Sequence, residues 1–237
     1  MAVQNVPDVE QIALEGVFAL SKYRVKYKKK EEARYISHLD FVRTITRTLK
    51  RAEIPIKYSQ GFNPHIIMTV GLPLSVGVLS DAEYMDVELY EDMDENKLVC
   101  DINNSIPMGL EILSARKLEE GDIPLSKISL AKYLVGVECT GECDLDLLMK
   151  NASLEVDKKT KKGITLTDIK PMIKNICYLY QKEGKNYYEM LLSAGNIQNL
   201  KPETVVLAME KYSDNFKSEF VCVKRLEMYF DENMPIN

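Results

Sequence analysis

The chain has only two histidines in 237 residues, and each stands in a short polar cluster. His38 lies in SHLD, residues 37–40, and His65 closes YSQGFNPH, residues 58–65. A histidine changes charge near neutral pH, so either can pass a proton as a general acid or base, or meet an anion. Around His65, Tyr58 and Phe62 can stack on bases and Gln60 can read hydrogen-bond edges. Ser59, Gly61, Asn63 and Pro64 are turn residues, which makes this a binding-loop composition. In SHLD, Ser37 is a good helix N-cap, and Asp40 three residues on completes a variant capping box. His38 then takes the first helical position, where free N–H groups and the helix dipole favour an anion. The plain alternative is an ordinary helix start. A third polar cluster, Asp168 and Lys170 before Pro171, reads either as a further contact or as a structured connection.

No phosphate-binding GxxxxGK[ST], no GxGxxG, no HExxH and no GxSxG occurs. The five cysteines are odd in number and irregularly spaced, with no CxxC pair. They read as reduced structural thiols, and neither a metal nor a cofactor is expected.

The elements that must hold the clusters follow from periodicity. KYRVKYKK, residues 22–29, alternates as a half-buried strand. A helix runs from Ser37 to about Glu53, with Leu39, Val42, Ile45 and Leu49 on its apolar arc and Arg43, Arg47, Lys50 and Arg51 as a basic ridge beside it. A buried strand over 65–74, another over 82–91, a helix capped by Asp94 and a strand over 110–119 complete a β-α-β-β-α-β order across residues 22–120. Residues 119–127 read as a linker. Residues 128–237 repeat the plan loosely: a strand over 128–138, a helix over 144–152, a hairpin turning at KEGKN, a helix after Pro202 and a last strand. The expected fold is α+β, two tandem ferredoxin-like (split βαβ) domains with antiparallel sheets. Residues 1–21 form an N-terminal extension with a short amphipathic helix after Pro7.

Sixteen helical residues span roughly 24 Å, so SHLD and NPH are expected at opposite ends of the helix. They meet only if the loop folds back; otherwise one long groove carries a cluster at each end.

Charge is uneven. Residues 22–80 hold twelve Lys/Arg against four acids, whereas residues 81–124 hold thirteen acids against three bases, within a chain of net charge −5. The basic segment points to an anionic partner, or else the two segments face each other in one sheet. No apolar run nears the roughly 20 residues of a membrane-spanning helix, and residues 1–21 lack a secretory n-region. A cytoplasmic protein without membrane contact is expected.

The stretch YISHLDFVRTITRTLKRAEIPIKYSQGFNPHIIMTVGLPLSVGVLSDAEYMDVEL resembles the core of the radical-SAM-linked proteins, a bacterial family of unknown function. Its pattern is an ISHLD helix, a YSQGFNPHP segment, PLPxGV and EYxDxEL, in order. The likeness extends loosely through TDIKPMI and CVKRLEMYF. Ile66 and Ile67 stand where the family has Pro and a basic residue. The resemblance implies a domain fused to, or encoded beside, a radical SAM protein, with RNA as a partner. The chain itself does not hold the iron–sulfur cluster of such enzymes: Cys139 and Cys143 have the first spacing of Cys-x3-Cys-x2-Cys, but Asp146 takes the third position.

The leading expectation is a non-catalytic binding module for RNA or a radical SAM substrate. Arg43, Arg47, Lys50 and Lys57 would contact phosphates while Tyr58 and Phe62 stack. A scaffold with residues 81–101 docking a basic partner protein comes second. An endoribonuclease-like enzyme comes third, using His38 as acid or base and His65 or Lys57 to stabilise charge; its likeness to CRISPR repeat-processing endoribonucleases is architectural only.

Overall fold

A computed structural model describes residues 21–160, 163–232 and 234–236; the helix expected near the N-terminus lies outside the described residues. The alternating lysine–tyrosine segment forms β1 (Ser21–Lys29), with Tyr23, Val25 and Tyr27 buried. Ser37 accepts the Asp40 N–H and starts α1 (His38–Arg51). This helix buries Phe41, Ile45, Thr48 and Leu49. Leu39, expected on the apolar arc, is 66% exposed. At 100° per residue it lies about 160° around the helix from Phe41, and the larger ring takes the inward place, stacked on Tyr27 at 4.9 Å.

The strand expected over 65–74 shrinks to β2 (Met68–Val70), and its side chains are at most half-buried. Gly71 still donates to the Tyr84 carbonyl. Leu72 then turns the chain away at a positive φ of 37°, and Pro73 has no N–H to continue a ladder. β3 (Leu79–Leu89), α2 (Glu95–Ser105), capped by the Asp94 carboxylate, and β4 (Leu110–Lys117) follow. These strands lie in the order β4-β1-β3-β2, each antiparallel to its neighbour.

The second half contains β5 (Leu130–Thr140), α3 (Leu145–Lys150), a separate hairpin of β6 (Glu155–Thr160) and β7 (Gly163–Asp168), β8 (Ile173–Lys182), β9 (Lys185–Ser193), α4 (Pro202–Tyr212), β10 (Lys217–Asp231) and β11 (Met234–Pro235). The β8–β9 turn falls where KEGKN placed it, with Glu183 and Gly184 at φ of 50° and 76°, the double positive pair that suits a twisted hairpin. Here the order is β10-β5-β9-β8, again antiparallel throughout.

The two sets of strands do not form two separate antiparallel sheets. β10 joins β3 in parallel through Lys224↔Leu79 and Arg225↔Ser80, giving one nine-stranded sheet. The join exists because β2 covers β3 only at Met85–Val87, leaving the start of β3 for β10. The fold is therefore mixed α+β, with a large, mostly antiparallel sheet and four α-helices among the described residues.

One core lies under α1 and α2, around Ile45, Leu49, Met85, Val87 and Ile102. The other lies under α3 and α4, around Val135, Leu148, Met190 and Val206. Residues 119–127, expected as a linker, are tied down between them. Arg116 forks onto Asp122 at 2.8 and 3.0 Å, Arg24 donates to the Ile123 carbonyl, and Leu125 is buried. Among the described residues no helix is long and apolar enough to cross a membrane.

Candidate functional site

α1 and the chain that returns from it enclose an open groove of about 350 Å³. One wall is every fourth helical residue, His38, Val42, Thr46 and Lys50; the other is built from Tyr58, Pro64, His65, Ile66, Met68 and Val70, of which His65 is exposed and Ile66 is buried in the core. Both histidines therefore line one surface. They stand toward opposite ends of it, because Lys50 lies about 18 Å along the helix from His38 at 1.5 Å per residue. Tyr58 joins the far end: the Lys50 ammonium sits over its ring at 5.4 Å, and Tyr58 bridges Ile66, next to His65.

The loop is held by backbone bonds and by one side-chain pair. Ser59 donates its N–H to the His65 carbonyl, and its hydroxyl lies 2.9 Å from His65 Nδ1. Between these anchors Gln60, Gly61, Phe62, Asn63 and Pro64 are all exposed. Phe62 is fully exposed, so it is not the core plug that an aromatic in such a loop can be.

At the other end, the Ser37 hydroxyl donates to Asp40 at 2.7 Å and Arg43 reaches the same carboxylate at 3.2 Å. These bonds hold the Asp40 carboxyl below the usual carboxylate range. The anion-attracting helix start is thus already faced by the protein's own acid.

Most of the basic segment is neutralised inside the fold. Arg24 pairs with Asp86 at 2.8 Å, Lys26 with Glu227 at 2.7 Å and Lys57 with Glu88 at 3.1 Å. Lys28 and Lys30 share Glu111. The segments that differ so sharply in charge are in large part partners across β1, β3 and β4. Lys57, expected to contact phosphate, is engaged on the sheet side and does not line the groove. On the α1 ridge Arg43 is paired with Asp40, and the exception is its middle. Arg47 and Lys50 are exposed and make no ion pair among the described residues, and Arg51 caps α2 through the Ser105 carbonyl.

Asp168 and Lys170 are not brought to this groove. The Asp168 carboxylate accepts the Leu154 and Lys170 N–H groups at 2.8 and 3.0 Å, and the Lys170 ammonium donates to the Asn151 carbonyl. They fasten the base of the β6–β7 hairpin, away from the α1 groove.

A buried ionic centre also lies behind the groove. Arg225 holds Glu83 at 3.0 and 3.1 Å and stands 5.8 Å from the Tyr133 ring centroid. Burial pushes the Glu83 carboxyl up against the pull of Arg225. Glu83, Asp86 and Glu88 are the acids of the EYxDxEL motif, and each meets a base: Arg225, Arg24 and Lys57. The motif is thus a set of cross-strand pairs.

In overall structure the chain is similar to one in "Crystal Structure of a Cbf5-Nop10-Gar1 Complex", with 11% identity and a TM-score of 0.46, covering 88% of this chain and 50% of that one. It thus spans about half the length of the chain it matches. It is also similar to one in "Crystal Structure of an Unknown Protein from Galdieria sulphuraria", with 12% identity and a TM-score of 0.27, covering 92% and 99%. Neither likeness is close enough to carry an argument. None of the curated proteins compared with this chain matches it. Residues 22–202, by contrast, match the family described as uncharacterized protein conserved in bacteria (DUF2344), and this chain belongs to that family.

Proposed function

We propose that the protein is a non-catalytic binding module for single-stranded RNA, acting with a radical SAM partner or in RNA processing in the cytoplasm. One observation carries the reading: the α1 groove has no acid among its lining residues and runs beside exposed Arg47 and Lys50, with Tyr58 at one end and Phe62 in the adjoining exposed loop. A backbone of phosphates can follow the basic ridge while bases stack on the aromatics. The strand orders β4-β1-β3-β2 and β10-β5-β9-β8 support the finer fold reading of two ferredoxin-like units, the second interrupted by the β6–β7 hairpin.

The scaffold reading loses its motive, since Glu83, Asp86, Glu88 and Asp92 already face Arg225, Arg24, Lys57 and Lys117. The nuclease reading pairs His38 with His65 or Lys57, yet His65 stands toward the far end of the groove and Lys57 faces Glu88.

The test is fluorescence anisotropy of a labelled single-stranded RNA against the full chain over a range of salt. Binding should weaken with salt, and Arg47→Ala should reduce the log–log slope by about 0.7. Arg47→Glu with Lys50→Glu should cut affinity about tenfold or more at low salt. No binding at low salt, or binding indifferent to both substitutions, overturns the reading.

A further inference from the structure

Next to the groove, at His38, lies a small cavity of about 20 Å³, lined by Tyr27, Lys29, Ser37, His38 and Glu83 among others. His38 and Val70 line both the groove and the cavity, so these two side chains stand between the two spaces. The volume decides what fits. A water needs about 10–15 Å³ of such space, so the cavity takes one oxygen atom and no more.

Lys29 gives that space its character. The residue is only 6% exposed, and its ammonium makes one hydrogen bond, a long 3.4 Å contact to the Ile36 carbonyl. It forms no ion pair among the described residues, although an ammonium carries three donors. Glu83 faces it from β3, but that carboxylate is held by Arg225. Tyr27 is buried and protonated, its hydroxyl pushed up by burial. The nearby charges are therefore two cations, Lys29 and Arg225, and one anion, Glu83. A buried ammonium without an ion pair is costly, and burial accordingly pushes the Lys29 amine down. Asp40 already answers the start of α1, so the attraction for an anion comes from Lys29.

We propose that this cavity is a phosphate-oxygen site: one oxygen of a ligand phosphate enters past His38 and accepts from the Lys29 ammonium, while the rest of the phosphate stands in the groove. The proposal rests on the reading of the groove as an RNA-binding surface, and it names the atom that anchors the strand at the His38 end.

The presence of only two histidines makes the test direct. Full-length protein with 15N-labelled histidine is titrated with inorganic phosphate at fixed pH, with sodium chloride at matched ionic strength as control. The His38 imidazole signals should shift saturably and the His65 signals should stay nearly still. Lys29→Met should weaken the His38 response about tenfold or more. Lys29→Gln repeats the comparison if the methionine variant does not fold.

A His38 signal indifferent to phosphate, one that moves as much with chloride, or one unchanged by loss of Lys29 overturns the proposal. A 5′-phosphorylated and a 5′-hydroxyl oligoribonucleotide then separate the source. Equal His38 shifts support a backbone phosphate, and a shift with the first alone supports a terminal one. Phosphate binding without RNA binding would refute the RNA reading and leave this site standing; RNA binding with His38 unmoved by phosphate would do the reverse.

Discussion

Two hollows flank the first helix of each half, and they are opposite in charge. The groove along α1 is lined by His38, Lys50 and His65 with no acid. The larger pocket beside α3, about 670 Å³, is lined by Glu142, Asp144 and Asp146 with no base, together with Cys139, Cys143 and the exposed Tyr178. Both follow the first strand of their half, and both helices start from a polar cap, Ser37 and Asp144. The strand order is the same, so the strand plan did not choose the charge. The helix did: α1 is fourteen residues long and carries a basic ridge, while α3 is six and has its acids at the start. An anionic strand can be steered to the first hollow and is repelled from the second.

Both hollows flank one nine-stranded sheet, and the largest expected effect tests that unity. Arg225 on β10 and Glu83 on β3 are both buried and link the halves. Arg225→Met leaves the Glu83 carboxylate unpaired and should cost about 3–5 kcal/mol, read as a shift of the urea midpoint. Tyrosine fluorescence should lose both halves together. Independent melting of the second half, with the first intact, would break the picture of a single sheet.

A smaller effect sharpens the contrast at the second hollow. Burial pushes the Cys139 and Cys143 thiols up, and for Cys143 the nearby Asp144 adds to the rise. Cys100 is exposed on α2. Alkylation at neutral pH followed by peptide mass spectrometry should label Cys100 first, with Cys139 and Cys143 several-fold slower. Rapid labelling of Cys143 would mean that the pocket is wetter and less acidic in effect than its lining.

The smallest effect concerns the segment between the two regions. Arg116 first, and the Glu119 N–H second, hold the Asp122 carboxyl down at about 2. A depressed carboxyl stabilises the fold above its unfolded value of about 3.9 and loses that contribution as pH falls toward about 2. Asp122→Asn should therefore lower stability slightly at neutral pH and flatten the acid limb between about pH 4 and 2, measured by thermal melts across pH. An unchanged acid limb would show that the fork onto Arg116 does not hold this segment.

Periodicity located most of the elements because their apolar faces are buried: β1, α2, β5, α4 and the β8–β9 hairpin stand where alternation or helical spacing puts them. It failed where a competing contact decides. Leu39 and Phe41 are both apolar, but at 100° per residue Phe41 lies about 40° from Ile45 and Leu39 about 120°, so an arc drawn through Leu39 is too wide, and Phe41 takes the inward place against Tyr27. The run before Pro73 is apolar enough for a long strand, yet the turn at Leu72 cuts it short. The two histidine clusters were visible as compositions, but whether they share a surface depends on the path of residues 58–66, which no local rule fixes. The alternation that turns Tyr23, Val25 and Tyr27 inward carries Lys29 to the same face, so its burial follows from the period of two although it stands among three adjacent lysines.

The brevity of β2 also bears on solubility. β10 acts as an edge guard, covering backbone groups at Leu79 and Ser80 that would otherwise be an open template for another chain. A fragment ending before β5 keeps the α1 groove but bares that edge, and it should associate through it. Cutting the protein to its first half, the natural step for anyone wanting the groove alone, would bare a sheet edge that the whole chain covers.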